Sequence, residues 1–111
     1  MNTFHTDLSQ NWSQYTIYEQ MAHIGAEVGR SINWRNKGND KMSKNAFYRA
    51  LELIDITVAD VKNRGRLSEI LRMRELLVDY LIGENMYHST DDQWSKYFIY
   101  YNFAARRYLS T

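Results

Sequence analysis

Arg66–Gly83, RLSEILRMRELLVDYLIG, is the stretch whose reading decides the fold. At 3.6 residues per turn, Leu67, Ile70, Leu71, Leu77, Val78 and Leu81 fall on one face. That spacing predicts an amphipathic helix ending at Gly83. Arg74 falls in the middle of the same face. A guanidinium stays protonated, so a buried one needs a carboxylate, backbone carbonyls or water. Arg74 is the one place where this stretch breaks its own pattern.

Upstream, Asn63-Arg64-Gly65 reads as a tight turn. Before it, a helix starting between Asp40 and Ser43 runs to about Asn63, with the stripe Phe47, Ala50, Leu51, Ile54, Val58 and Val61. The stretch KGNDKMSKNAFYRALELID is similar to one tetratricopeptide hairpin, but no second copy recurs about 34 residues on, so a repeat protein is rejected. Gly38–Lys41 is a polar turn. The first helix spans about Trp12 to Lys37, capped by Ser9 or Asn11, with Ile17, Met21, Ile24, Val28 and Ile32 at helical spacing. Ala22, Gly25 and Gly29 form a strip of small residues beside that stripe. Gly costs roughly 1 kcal/mol in a helix interior. Two on one strip suggest close approach of another backbone, from this chain or from a second copy. Residues 1–10 are polar and aperiodic, and read as a loose arm.

Downstream, GENMYHST is a polar connection. Thr90 and Gln93 have the spacing of a capping box, and Asp91 and Asp92 suit the positive end of a helix dipole. The last helix, WSKYFIYYNFAARRY, turns Trp94, Tyr97, Phe98, Tyr101, Ala105 and Tyr108 inward. Ile99 and Phe103 project to nearly the opposite side, and Tyr100 widens that arc. A four-helix monomer has no core for this second stripe, which makes it a candidate interface. The short turns place successive helices antiparallel. The expected fold is therefore all-α: residues 11–111 form a single up-and-down antiparallel four-helix bundle.

Composition agrees. The 111 residues contain no Pro and only 5 Gly, which favours uninterrupted helices. With no Cys, disulfides, thiolate metal sites and thiol catalysis are excluded. No apolar run approaches the ~20 residues that span a bilayer, and no signal peptide is expected at the N-terminus. The expected location is the cytoplasm, with no membrane contact. Fourteen basic against 13 acidic residues argue against electrostatically driven nucleic-acid binding. The aromatic content is 14%, with 9 Tyr and 3 Trp, side chains suited to interfaces.

Few residues suggest chemistry. His5, His23 and His88 are scattered, with no i, i+4 pairing for a metal. His88 with Glu84, Asp91 and Asp92 is a conceivable metal or acid–base cluster, but it lacks a second His. No phosphate-binding Gly-rich loop or nucleophile elbow is present. No catalytic residue, metal or cofactor is expected. Arg74 has two readings: a register-fixing pair with Glu27, Glu52 or Asp55, or an anion site such as one for RNA phosphate.

Met73–Leu81, MRELLVDYL, resembles the MRNxLVHxY segment of HEPN-type helical bundles, and AFYRALELI is loosely similar to their second helix. The resemblance implies a small, often dimeric all-α domain. Many such domains are metal-independent ribonucleases of toxin–antitoxin systems, whose Arg and His face each other across a dimer cleft. Arg74 matches the Arg. Asp79 stands where the His belongs, a departure that puts cleavage in question, so the resemblance implies an RNA-binding relative or a metal-independent ribonuclease, active or inactive, with Arg74 and Asp79 as the candidate anion site. The whole chain is also similar to small prokaryotic all-helical proteins sharing the MRELLVDY and STD segments, a likeness that implies no activity. The expectation is thus a non-catalytic interaction module, homodimeric or bound to another protein through Ile99, Tyr100, Phe103, Gly25 and Gly29. The alternative is a HEPN-like RNA-binding protein or ribonuclease of a toxin–antitoxin type system.

Overall fold

A computed structural model describes residues 11–109, and the arm expected over residues 1–10 lies outside the described residues. A short 3-10 turn, Trp12–Gln14, leads into α1 (Ile17–Asn36) and α2 (Asp40–Ala59). A 3-10 segment, Val61–Arg66, then joins α2 to α3 (Leu67–Leu81), and α4 (Asp91–Leu109) follows the long loop. The protein is an all-α, up-and-down antiparallel four-helix bundle. In it, α1 packs along both α2 and α4, and α2 packs on α3.

Local chemistry sets the helix ends and corrects two of them. The first helix begins at Ile17, not Trp12. Thr16 is extended (φ −66°, ψ 161°) and closes a capping box: Glu19 N donates to Thr16 Oγ1 at 3.1 Å, and Thr16 N donates to Glu19 Oε1 at 2.9 Å. Asn11 makes no side-chain cap. The second helix starts at Asp40, where Asn39 accepts from Met42 N, but ends at Ala59 rather than Asn63. There Asp60 turns extended and caps the 3-10 segment through Lys62 N. The last helix starts at Asp91, on the Thr90–Gln93 capping box that the spacing predicts, and so takes in Asp91–Gln93 ahead of Trp94. At the end of α3, Ile82 N and Gly83 N both donate to Val78 O, which closes the helix where Gly83 predicts.

The core takes Met21, Ile24 and Val28 from α1, Phe47, Ala50, Leu53 and Ile54 from α2, and Ile70, Met73, Leu77 and Tyr80 from α3. The inward positions Trp94, Phe98, Tyr101 and Ala105 of α4 complete it, with Tyr97 half-buried. The buried line of α3 differs from its apolar pattern. Leu71 is exposed, and Met73 and Tyr80 are buried instead. Positions 70, 73, 77 and 80 follow a seam near 3.5 residues per repeat, and Leu71 lies off it. In α2, Val61 is exposed because the helix ends before it.

Two polar clusters lie inside the bundle. Ser31 of α1 and Ser43 of α2 each donate to the other's carbonyl, at 2.9 and 2.8 Å. At the opposite end of α1, Gln20 Nε2 donates to Trp12 O (2.8 Å) and to Asp60 Oδ2 (2.9 Å). Asn63 Nδ2 donates to Gln20 Oε1 and Thr57 O, and Trp12 Nε1 donates to Thr57 Oγ1. This cluster ties the entering chain and the 3-10 segment to the ends of α1 and α2.

Candidate interaction surface

The surface begins with the sequence of α4. Its inward residues are saturated with ring contacts: Trp94, Tyr97, Phe98 and Tyr101 lie with neighbouring centroids 5.0 to 6.0 Å apart. The opposite face is left without cover. Ile99 is 45% exposed, Tyr100 62% and Phe103 65%. Tyr100 packs edge-on against Tyr101. These three residues occupy a single turn and a half at the middle of α4.

The N-terminal end of α4 is anchored. Arg35 Nη2 donates to Asp91 Oδ1 (2.6 Å) and to Tyr80 Oη (2.8 Å), and Tyr80 Oη donates to Asp91 Oδ1. Asn36 Nδ2 donates to Asp91 Oδ2 at 3.0 Å. The Arg35 guanidinium also lies 4.6 Å from the Tyr80 ring centroid. This cluster joins α1, α3 and α4, so the outer face of α4 is presented on a fixed element. At the other edge of α4, Tyr101 Oη donates to Glu69 Oε1 at 3.0 Å. Burial pushes the Tyr101 phenol far above its usual value, and Tyr97 and Glu69 beside it add to the shift. Burial likewise raises Tyr97. Both rings therefore stay neutral hydrogen-bonding groups at physiological pH.

A groove of about 520 Å³ runs between α1 and α4, lined by Gly25, Gly29 and Asn33 on one wall and Ser95, Ile99 and Asn102 on the other. The two glycines differ in kind. A Cβ on Gly25 would stand 2.7 Å from Phe98, so this glycine serves packing inside the chain. A Cβ on Gly29 would meet nothing within 4 Å. Of the interface candidates, Ile99, Tyr100 and Phe103 are exposed, Gly29 shares the groove with Ile99 alone of the three, and Gly25 is used within the chain.

A second cleft, of about 340 Å³, opens between α3 and α4 over Met73, Leu76, Trp94 and Tyr97. Trp94 lines both clefts, and its Nε1 is buried without a hydrogen-bond partner. Nothing in the sequence pattern marks that orphan donor, because an inward Trp reads only as core.

Arg74 and Asp79 are not brought together. Arg74 Nε donates to Asp55 Oδ1 at 3.1 Å across α2 and α3, with side chains 37% and 61% exposed. Arg74 therefore lies at the rim of the apolar face rather than within it, on one of the three acids the sequence offers. Asp79 turns the other way and accepts from Met86 N (2.8 Å) and Tyr87 N (3.0 Å), which holds the α3–α4 loop. Within that loop Asn85 and His88 both adopt positive φ, at 55° and 56°. His23 is half-buried and packs against the entering chain, its ring 5.6 Å from Trp12 and 5.2 Å from Tyr15, centroid to centroid. Among the described residues, no group of three His, Asp or Glu side chains is placed to hold a metal ion. No helix among them is long and apolar enough to cross a membrane. Compared with protein-family models, curated proteins and solved structures, the chain gives no match.

Proposed function

We propose that this chain is a non-catalytic helical-bundle interaction module that pairs with a second copy of itself through the outer face of α4. The observation that carries the reading is the exposed row Ile99, Tyr100 and Phe103, backed by a fully packed inner face on the same helix. Large apolar side chains grouped on one exposed face mark contact surfaces more often than solvent-facing ones. Tyr100 adds a ring with a polar tip, suited to a boundary that is part dry and part wet. Arg74 and Asp79, which the HEPN resemblance would assign to RNA, both serve contacts within the chain. That use favours the interaction reading over the RNA-directed one.

Light scattering over a concentration series tests the proposal. Wild-type protein is expected at twice the chain mass, and Phe103→Glu at the single-chain mass with unchanged helical circular dichroism. A wild type that remains a single chain throughout the series overturns the reading. A labelled-RNA binding assay run alongside is expected to show no retention; retention lost in Arg74→Ala would establish the RNA-directed reading in its place.

A further inference from the structure

We infer that the two copies pair with their α4 helices antiparallel, on a two-fold axis at Ile99. The inference rests on the interaction reading above and adds its geometry. Successive residues of a helix turn by about 100°, so Asp92, Ile99, Phe103 and Arg106 share an arc of about 60° on the outer face of α4. Ile99 and Tyr100 sit at the midpoint of Asp91–Leu109. The charges in the two terminal turns are opposite in sign, Asp91 and Asp92 in the first and Arg106 and Arg107 in the last, with Lys96 between them.

That distribution is self-complementary in only one direction. A parallel pair would set Asp92 beside Asp92 and Arg106 beside Arg106. An antiparallel pair on Ile99 places residues seven before the axis opposite residues seven after it. Asp92 of each copy then faces the Arg106–Arg107 end of the other, twice by symmetry. Phe103, four residues after the axis, falls against Ser95 and the aliphatic stem of Lys96, which lie four and three residues before it. A small side chain leaves room for the ring, and an ammonium near its face is favourable. Shifting the axis to Tyr101 would instead set Lys96 against Arg106, so charge selects the register as well as the direction. Within one copy Lys96 already pairs with Asp92 at 3.0 Å, at positions largely open to solvent, so the Asp92 carboxylate has room for a second cation, while Asp91 stays on Arg35.

Single cysteines test this directly, because the chain has none of its own. A disulfide needs Cα atoms within about 7 Å. On the axis, Ile99→Cys meets its own counterpart and is expected to link two chains on mild oxidation with oxidised glutathione. The two copies of position 92 lie about 21 Å apart along an antiparallel pair, from 1.5 Å per residue. Asp92→Cys alone is therefore expected to stay unlinked, whereas Asp92→Cys mixed with Arg106→Cys links. Self-linking of Asp92→Cys would show a parallel pair and overturn the inference. So would an unlinked Ile99→Cys protein that light scattering shows to be dimeric; both results leave the interaction reading standing. A wild type that is a single chain at every concentration removes the reading and the inference together.

Discussion

Gly25 and Phe98 are packed backbone against side chain: a Cβ built on Gly25 would lie 2.7 Å from both the Cβ and the Cγ of Phe98. Four residues on, the Cβ of an alanine at position 29 would meet nothing within 4 Å. The same residue type on the same strip of α1 therefore answers to two different demands. Gly25 lets α4 close on α1. Gly29 leaves a bare stretch of backbone on the wall of the outer groove.

The two sites should respond to alanine with opposite sign. At Gly25 the new methyl meets Phe98 at its Cβ, which is fixed to the backbone of α4, so relief requires the helix to move. Overpacking of this kind costs about 1–3 kcal/mol, against a gain of roughly 1 kcal/mol in helix propensity. Gly25→Ala is expected to lower Tm by several degrees. Gly29→Ala keeps only the gain and should raise Tm, by roughly 4 °C or more per kcal/mol at this chain length. Thermal melts of both variants, followed at low concentration to limit association, check the contrast.

Arg74 and Asp79 offer a second contrast. The Arg74–Asp55 pair is largely solvent-exposed, and such pairs contribute about 0–1 kcal/mol. Arg74→Met should leave stability within that margin. Asp79 accepts two backbone N–H groups of the loop, and charged acceptors of this kind are worth about 1.5–3 kcal/mol each at most. Asp79→Ala is expected to cost more than Arg74→Met and to act locally. Hydrogen exchange should speed at the Met86 and Tyr87 amides, with core amides of α1 and α2 slowed as before.

The inner faces of the helices were legible in the sequence because burial leaves a period. Met21, Ile24, Val28 and Ile32 repeat at helical spacing and are buried as that spacing predicts. Thr90 and Gln93 likewise announce their capping box. Side chains that compete with a helix for its backbone are harder to read. Thr16 and Asp60 each cap a helical segment that starts after them, and both lie within patterns that read as continuous helix. The side of α4 that lacks cover was also legible, since Ile99 and Phe103 stand opposite its core stripe. What the pattern could not separate was Gly25 from Gly29. That distinction depends on where Phe98 arrives from another helix, and no local spacing records it.

No spacing in the sequence marks the polar cluster around Gln20, since Gln20, Thr57 and Asn63 are brought together only by the packing of separate elements. All three are buried. Asn63→Ala removes the donor to Gln20 Oε1 and to Thr57 O, leaving both acceptors without it in a closed site. An unsatisfied buried polar group costs about 1–3 kcal/mol, so the variant should lie near the upper end of that range. Asn63→Asp should be at least as damaging, because its carboxylate cannot donate to either oxygen. Urea unfolding with a shared m-value gives the comparison.

The same cluster makes stability depend on acidity. Burial acts to raise the Asp60 carboxyl, but hydrogen bonds from Lys62 and Gln20 outweigh it and hold the group below its usual value of 3.8. Its side chain is 7% exposed, and Lys62 Nζ lies 2.5 Å from Oδ2. A carboxyl with a lowered folded pKa binds fewer protons folded than unfolded, so stability rises with pH across the interval between the two values. The contribution is complete above about pH 5. It is lost as pH falls through the unfolded value of 3.8 towards the lower folded one. Asp60→Asn removes the titrating group while keeping an acceptor for Gln20. Its stability at pH 7 should fall, and its loss of stability between pH 5 and pH 3 should be shallower than that of the wild type. Equal slopes for the two proteins over that interval would show that other carboxylates carry the acid sensitivity.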